Sequence, residues 1–380
     1  MMSGNKIETT LVFDNTLGGH HLEYLHHLYT FAVSNPHRKY IFAIPDSFGD
    51  FSGKLDWQES TNVTFHFIKE ELCCRNLSWL RRSYTLSKLL HEIARIYGVE
   101  RIFLISLMPF LPFLPFMIGS HFKISGIIYK IYLYTWTEKR ISGRGLDVFK
   151  YLLLSRFRVF DKVFLLNDEF APLYLNKLYK CNKFHYLPDP YSPVSSVSTC
   201  NLRKEWGVTD NQKIIIHFGG LCRRKGTLNV FEMIQMIPHS EWNKYVFIFA
   251  GKVYKDIREE FYLHYNVLKQ NIRILVFDEF CSFDFIESLC VSCDAILLPY
   301  HETAQSSGVI GYAAQFRKPV IVPRQGLLGK LVCRNALGIL FDDMTPNSIY
   351  NALKKVDDWE MGDKKYIETR TVDDFLKGLA

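Results

Sequence analysis

The sequence predicts an α/β protein of two domains, each a parallel sheet covered by helices on both faces. Two observations predict it. Apolar runs of strand length alternate with stretches of helical periodicity along the chain. A Pro-rich segment, Leu187-Pro-Asp-Pro-Tyr-Ser-Pro193, divides that alternation into two series, and 380 residues is a comfortable length for two domains. The expected division is a first domain over 1–190, a linker over 191–200, a second domain over 201–360, and a tail over 361–380 whose helix packs back on the first domain.

In the first series Thr10–Phe13 is a strand, Gly18-Gly19 a turn, and His20 to Val33 a helix with Leu22, Leu25, Tyr29 and Ala32 on one face. Tyr40–Ile44 and Val63–Ile68 are strands. Thr85–Tyr97 is a helix, because Leu86, Leu89, Leu90, Ile93 and Tyr97 recur at helical spacing. Ile102–Leu107, Ile124–Tyr129 and Lys162–Leu166 complete the sheet. In the second series Lys213–Phe218 is a strand, Gly219–Gly226 a basic loop and Thr227–Ile237 a helix. Tyr245–Ala250 and Ile272–Val276 are strands, and Phe283–Cys293 is an amphipathic helix. Ala295–Leu298 is a strand ending at Pro299, and Tyr300–Ser307 is a polar loop. Gly308 opens a helix that Lys318-Pro319 stops, and Val320–Val322 and Gly338–Phe341 are the last strands. Two such sheets joined by a linker leave a cleft between them, a favoured place for a ligand.

Composition is that of a globular chain, 48% hydrophobic and 22% charged. The net charge is +7, and the segment Lys123–Lys183, with twelve Lys/Arg against five Asp/Glu, holds an equal excess. That excess suits a solvated face or a patch for anionic lipid or phosphate. It forms no compact run and no nucleic-acid-binding signature is present, so nucleic acid is not an expected partner. The most apolar run, Ile102 to Ile118, is interrupted by Pro109, Pro112 and Pro115, which suits a buried strand followed by an apolar loop rather than a membrane span. Residues 1–10 are polar and no signal peptide is expected, so the protein is placed in the cytoplasm, peripheral at the inner face of the membrane. Nine cysteines without a disulfide framework fit reduced thiols there, and the lone Cys290-Val-Ser-Cys293 pair reads as structural.

Three loops carry candidate chemistry. His217-Phe-Gly-Gly-Leu-Cys-Arg-Arg-Lys-Gly226 runs from a strand through two glycines and three cations into a helix, an arrangement suited to phosphate or diphosphate, although the P-loop spacing is absent. Gln305, Ser306, Ser307 and Gly308 line the next strand-to-helix turn, where free backbone N–H groups favour an anion. In the first domain Asp14 to Glu23 places Gly18 and Gly19 before a helix, with His20 or His21 suited to ligand binding, to proton handling or simply to a polar helix start. The four nearby histidines lack HExxH spacing, and no metal or other cofactor is expected.

These pieces resemble the GT-B glycosyltransferases of glycosyltransferase family 4, bacterial surface-polysaccharide branch. The resemblance rests on GGLCRRKG (219–226), VFDEFCSFDFIESLCVSCDAILLPY (276–300), QSSGVIGYAAQFRKPVIVPRQGLLGKLV (305–332), GGHHLEYL (18–25) and LPDP (187–190). It implies two Rossmann-like domains facing a cleft, a nucleotide-sugar donor held mainly by the second and an acceptor, glycan or lipid-linked, held mainly by the first. It also implies metal-independent transfer with retention, in which the leaving phosphate itself can take the acceptor proton. By position, Lys225 matches the lysine on the donor diphosphate, with Arg224 beside it and Gly219 and Gly220 under it. Asp278, Glu279 and Phe280 match the loop around the base, and Ser306, Ser307 and Gly308 match the loop that meets the donor sugar and phosphate. Gly18 and Gly19 are expected to bind the donor, and His20 is expected to join Arg224 and Lys225 as a catalytic residue. Two departures stand out: Gly220 replaces the usual arginine, and Ala304 and Tyr312 replace the usual pair of glutamates. They leave open a second expectation, a catalytically silent GT-B-like protein that binds a nucleotide or partner. A nicotinamide-dependent oxidoreductase fits less well, because the first loop lacks a full GxGxxG.

Overall fold

The computed structural model describes residues 8–17, 20–49, 57, 60–73, 77–135, 141–191, 202–360, 362 and 365–379. The chain divides into two compact units, Met1–Pro188 together with Val372–Ala380, and Asp189–Thr371. The turn at Gly18-Gly19 and residues 192–200 of the expected linker lie outside the described residues.

The first unit is built on a seven-stranded sheet in the order β3-β2-β1-β4-β5-β6-β7, with every pairing parallel. Its strands are β1 (Thr9–Phe13), β2 (Lys39–Pro45), β3 (Val63–Ile68), β4 (Arg101–Leu104), β5 (Lys123–Ile128), β6 (Phe160–Leu166) and β7 (Phe184–Leu187). Tyr40 to Pro45 of β2 are all buried, the pattern of a strand covered on both faces. The helices are α1 (His20–Val33), α2 (Trp79–Ile96), α3 (Ile141–Arg156) and α4 (Ala171–Tyr179). Helix α2 starts six residues before the expected Thr85, because its first turns expose Trp79, Leu80 and Tyr84 and so break the core-facing periodicity. Strand β4 is shorter than expected: beyond Leu104 the Ile105 N–H still donates to Phe13 O and the Leu107 N–H to Ile127 O, but the regular ladder has ended and the chain turns into the 3₁₀ segment Met108–Phe110.

The second unit holds a six-stranded, all-parallel sheet in the order β10-β9-β8-β11-β12-β13. Its strands are β8 (Lys213–Phe218), β9 (Tyr245–Ala250), β10 (Arg273–Phe277), β11 (Ala295–Leu297), β12 (Val320–Pro323) and β13 (Gly338–Phe341). Between them run α5 (Thr227–Met236), α6 (Arg258–Leu268), α7 (Phe283–Ser292), α8 (Val309–Gln315) and α9 (Gly326–Arg334), with α10 (Pro346–Leu353) after β13. Stacked and edge-on rings of Phe231, Phe249 and Phe261 fill the core, with centroids 4.5 to 5.4 Å apart. Helix α8 ends at Gln315, three residues earlier than Lys318, as Arg317 takes a left-handed φ of 54°.

In each sheet the strand order reverses at one point, between β1 and β4 in the first and between β8 and β11 in the second. Open α/β sheets bind ligands outside the carboxyl ends of the strands at such a switch point, since the loops diverge there.

The last helix, α11 (Val372–Leu379), belongs to the first unit. Phe375 is fully buried, its ring centroid 5.1 Å from that of Tyr24 on α1, so the end of the chain completes the first core. Replacing Phe375 with Ala should cost about 3–5 kcal/mol of stability. Urea unfolding followed by circular dichroism measures this, and a cost under about 1 kcal/mol would mean α11 is only loosely attached.

Candidate functional site

The loops at the β8/β11 switch point are joined by backbone contact. Gly226 follows the basic loop with φ of 65°, and a Cβ there would lie 1.8 Å from Pro299 O, so only glycine lets the loop lie against the end of β11. The His301 N–H donates to Arg224 O at 3.0 Å. Lys225 is folded back along its own loop: its Nζ would be 2.6 Å from a Cβ on Gly219, which has φ of 97°, and it stands 5.5 Å from the Tyr300 ring centroid.

The three cations of this loop differ in employment. Arg223 is used structurally, with its N–H on Asp256 Oδ2 and its guanidinium on Glu260. The exposed Arg224 guanidinium and the Lys225 ammonium have no hydrogen-bond or ion-pair partner among the described residues. The Tyr254 ring lies over Gly220, where a Cβ would come to 3.0 Å, so an aromatic face occupies the ground beside the missing arginine.

Beneath the loop a buried histidine sets the geometry. His217 Nδ1 lies 2.8 Å from Leu297 O, and Nε2 lies 3.0 Å from Thr227 Oγ1. A carbonyl can only accept, so Nδ1 carries the proton and Nε2 accepts from the Thr227 hydroxyl. Thr227 Oγ1 in turn accepts from the Cys222 N–H at 3.1 Å. This chain ties β8, β11, the basic loop and the start of α5 together. Burial lowers the His217 pKa to about 4, with the charge of Lys225 adding to the effect and the bond to Leu297 opposing it.

The loop from Tyr300 to Gly308 follows β11. The Leu327 N–H donates to Thr303 O at 2.8 Å, which fastens the loop to the start of α9. Ser306 donates to Asp189 Oδ2 at 3.1 Å, and Tyr300 and Ser307 hydroxyls meet at 3.4 Å. Gln305 is half-buried, Ala304 is buried, and Tyr312 packs edge-on against Phe218 with centroids 6.1 Å apart. Neither position of the missing acid pair therefore presents a carboxylate.

Asp278 has a structural task. It accepts from the Val253 N–H at 2.8 Å and from the Tyr262 hydroxyl at 2.9 Å, and Arg258 lies 2.9 Å away. Burial raises its pKa, but those bonds and the Arg258 and Lys252 charges outweigh it, and the net shift is downward. Glu279 and Phe280 beside it are exposed.

In the first unit Asp14 follows β1 at the β1/β4 switch point. It is buried, and its Oδ2 lies 2.7 Å from Nδ1 of His21 on the first turn of α1. The Asp14 Oδ1 accepts from the Thr16 N–H at 3.2 Å. Burial raises the Asp14 pKa against the opposing pull of His21 and of the Thr16 and Asn15 N–H groups. The His21 ring stacks on Tyr129, just past β5, at 5.3 Å. Reading the sequence left His20 and His21 as alternatives, because a pairing across a turn leaves no spacing signature. His20 begins α1, and its side chain lies outside the described residues. Among the described residues no group of three or more His, Cys, Asp or Glu is placed to hold a metal ion. Cys290 and Cys293 are free and buried, and burial pushes the Cys293 thiol up to about 12, which suits packing rather than thiolate chemistry.

Comparison with protein-family models gives no match, and comparison with curated proteins gives none either. Solved structures match over nearly the full length. The fold is similar to that of WaaG, a glycosyltransferase involved in lipopolysaccharide biosynthesis, with TM-score 0.65, 12% identity, and 98% of this chain and 95% of that one covered. A glycosyltransferase from Rickettsia africae matches with TM-score 0.67 and 14% identity over 98% of this chain and 97% of that one. HepE from Anabaena, in complex with UDP and glucose, matches with TM-score 0.61 and 14% identity over 98% of both chains. At these identities the likeness is one of fold: two α/β units with parallel sheets, the GT-B architecture of these glycosyltransferases.

Two outcomes follow from the His217 chain. Thr227→Val removes both an acceptor and a donor from buried partners and should cost about 1–3 kcal/mol in urea unfolding. The depressed His217 pKa stabilises the native state fully above pH 6.5 and is lost as pH falls to about 4. The acid-side loss of stability should therefore be about 3 kcal/mol larger in the wild type than in His217→Asn, where the native and unfolded states no longer differ at this site. Equal pH slopes for the two proteins would contradict a neutral, buried His217.

Proposed function

We propose that this protein is a glycosyltransferase that moves a sugar from a nucleotide-diphosphate-sugar to a glycan or lipid-linked acceptor in bacterial surface-polysaccharide synthesis. The observation that carries the reading is the pair of uncommitted cations, Arg224 and Lys225, held at the β8/β11 switch point of a GT-B fold. A leaving diphosphate gains negative charge as its bond to the sugar breaks, and cations fixed in advance stabilise that charge. In this reading no metal or cofactor takes part, and transfer proceeds with retention at the anomeric carbon. Gly219 and Gly220 let the diphosphate approach the backbone, and Gln305, Ser306, Ser307 and Gly308 face the sugar and phosphate. Asp278, Glu279 and Phe280 border the base, with Asp278 holding the loop rather than reaching the ligand. Gly18 and Gly19 are assigned to donor binding, and His20 joins Arg224 and Lys225 as a catalytic residue. HepE is described in complex with UDP and with UDP-glucose, which makes a uridine donor the first to try.

The second reading, a silent nucleotide- or partner-binding protein, draws on Ala304 and Tyr312, which place no acid where the related enzymes have two. A thermal-shift screen with UDP, GDP, ADP and CMP identifies the base, because a ligand bound only by the native state raises the melting temperature. With the matching nucleotide-sugar, Lys225→Ala should lower transfer about 10²–10³-fold, the scale of removing one charge-stabilising donor. Full activity in Lys225→Ala would dismiss the site, and nucleotide binding without donor hydrolysis or transfer would favour the silent protein.

A peripheral, cytoplasmic membrane contact is part of the same proposal. Among the described residues no helix is long and apolar enough to cross a membrane. The first unit does present an apolar surface with basic residues beside it. Leu77, Leu80, Arg81, Tyr84 and Phe113 line one hollow, Phe116 is exposed with its ring 4.9 Å from Phe157, and Lys150 Nζ lies 5.2 Å from the Trp79 ring. Rings at headgroup depth with Lys and Arg beside them suit an anionic bilayer, and Lys150, Arg156 and Arg158 belong to the basic segment 123–183. In co-sedimentation, vesicles of phosphatidylcholine with phosphatidylglycerol should pull the protein down, and phosphatidylcholine alone should not. The double variant Trp79→Ser/Phe116→Ser should weaken this at least tenfold, and undiminished binding would move the contact elsewhere.

A further inference from the structure

We infer that Ser306 and Asp189 together read a hydroxyl group of the donor's sugar, with Ser306 touching that hydroxyl and Asp189 positioning Ser306. The assignment rests on the glycosyltransferase reading and deepens it. Both residues belong to the second unit, so the pair is complete within one compact body. Ala304 is buried and Tyr312 packs against Phe218, so the loop presents no carboxylate of its own at those positions. Asp189 brings one to it from 117 residues away.

The polarity of the pair decides what it binds. A carboxylate only accepts, so the Ser306 hydroxyl spends its single proton on Asp189 Oδ2, 3.1 Å away. Toward a ligand the Ser306 oxygen then has lone pairs and no proton to give. Such an oxygen suits a hydroxyl, which donates, and disfavours a phosphate oxygen, which accepts. The Asp189 charge behind it adds to the repulsion of an anion. The other end of the same loop has the opposite character. Lys225 Nζ stands 5.5 Å from the Tyr300 ring centroid, and the Tyr300 and Ser307 hydroxyls meet at 3.4 Å with either able to donate. The loop is therefore divided into a cationic end for the diphosphate and an acceptor end for the sugar. Strand order agrees with this division. The loop after β10, which borders the base in the proposed reading, lies to one side of β8, and β11 lies to the other.

Asp189 is held where it stands. It is buried, and it lies between Pro188 and Pro190, whose rings fix φ on both sides and disfavour a helical Asp189. The Tyr191 N–H donates to Arg370 O at 3.2 Å. A Cβ on Gly311 of α8 would come to 3.2 Å from the Tyr191 Cβ, so this segment lies against the helix that follows Ser306. A carboxylate fixed in this way holds the Ser306 hydroxyl in one orientation before a ligand arrives, and a hydroxyl oriented in advance costs less to bind.

The test uses the full chain with UDP, UDP-glucose and the monodeoxy analogues of UDP-glucose, or the same set for whichever base the nucleotide screen selects. The wild type should favour UDP-glucose over one of the monodeoxy donors about tenfold in kcat/KM, the worth of one hydrogen bond. Ser306→Ala should lose about tenfold on UDP-glucose, mainly in KM, and nothing further on that monodeoxy donor, because the two changes remove the same contact. The rise in melting temperature caused by UDP alone should stay as in the wild type. Asp189→Ala should show the same pattern, and Asp189→Asn, which keeps an acceptor for the Ser306 proton, should recover most of the loss. Ser306→Cys takes the place of Ser306→Ala if the latter loses its melting transition, with the same pattern expected. Equal losses for UDP and UDP-glucose, or an undiminished preference against the monodeoxy donor in the folded variants, would overturn the sugar contact while leaving the glycosyltransferase reading intact. A wild type that turns over none of the donors would instead overturn that reading, and the sugar contact with it.

Discussion

The second unit depends on one buried imidazole that must remain neutral. His217 donates to a carbonyl at the end of β11 and accepts from a threonine at the start of α5, which accepts from the loop in between. Both ring nitrogens, the Thr227 hydroxyl and the Cys222 N–H have their partners, so a change of this geometry would leave buried polar groups unpaired. The strands it joins flank the switch point, and the loop it underpins carries Arg224 and Lys225. Positioning of the cations thus derives from a contact that touches no ligand.

The central strands were legible in the sequence because they are buried on both faces and read as continuous apolar runs, whereas the edge strands β3 and β13 were legible from alternating or short apolar stretches. Val63–Ile68, Lys213–Phe218, Tyr245–Ala250 and Gly338–Phe341 have the expected limits. Helices with mixed faces were less legible. Helix α4 exposes Leu173, Tyr174 and Leu178, and α3 exposes Phe149 and Leu152, so hydrophobic periodicity does not separate core from solvent there. Both were missing from the expected order of elements, as were α6, α9, α10 and β7.

The candidate site divides the same way. A lysine before a glycine, after a strand and before a helix, is a local pattern, and residues 219–226 were found by it. Contacts between distant segments leave no such trace. That Arg223 is engaged by Asp256 and Glu260 while Arg224 is not follows only from where α6 lies. That Ser306 meets Asp189 joins two motifs 117 residues apart, LPDP and QSSG, that the sequence presents as separate. Asp14 and His21 are seven residues apart but lie on either side of the end of β1 and the start of α1, so no periodicity within one element announces their pairing.

The first unit takes its final helix from the far end of the chain, with Phe375 against Tyr24. Domains assemble as units while synthesis proceeds from the N-terminus. Residues 189–371 are contiguous, whereas the unit begun first lacks Val372–Leu379 until the second has been made. Order of synthesis and order of completion are therefore reversed, and an unfinished face around Tyr24 exists for as long as the second unit is being made.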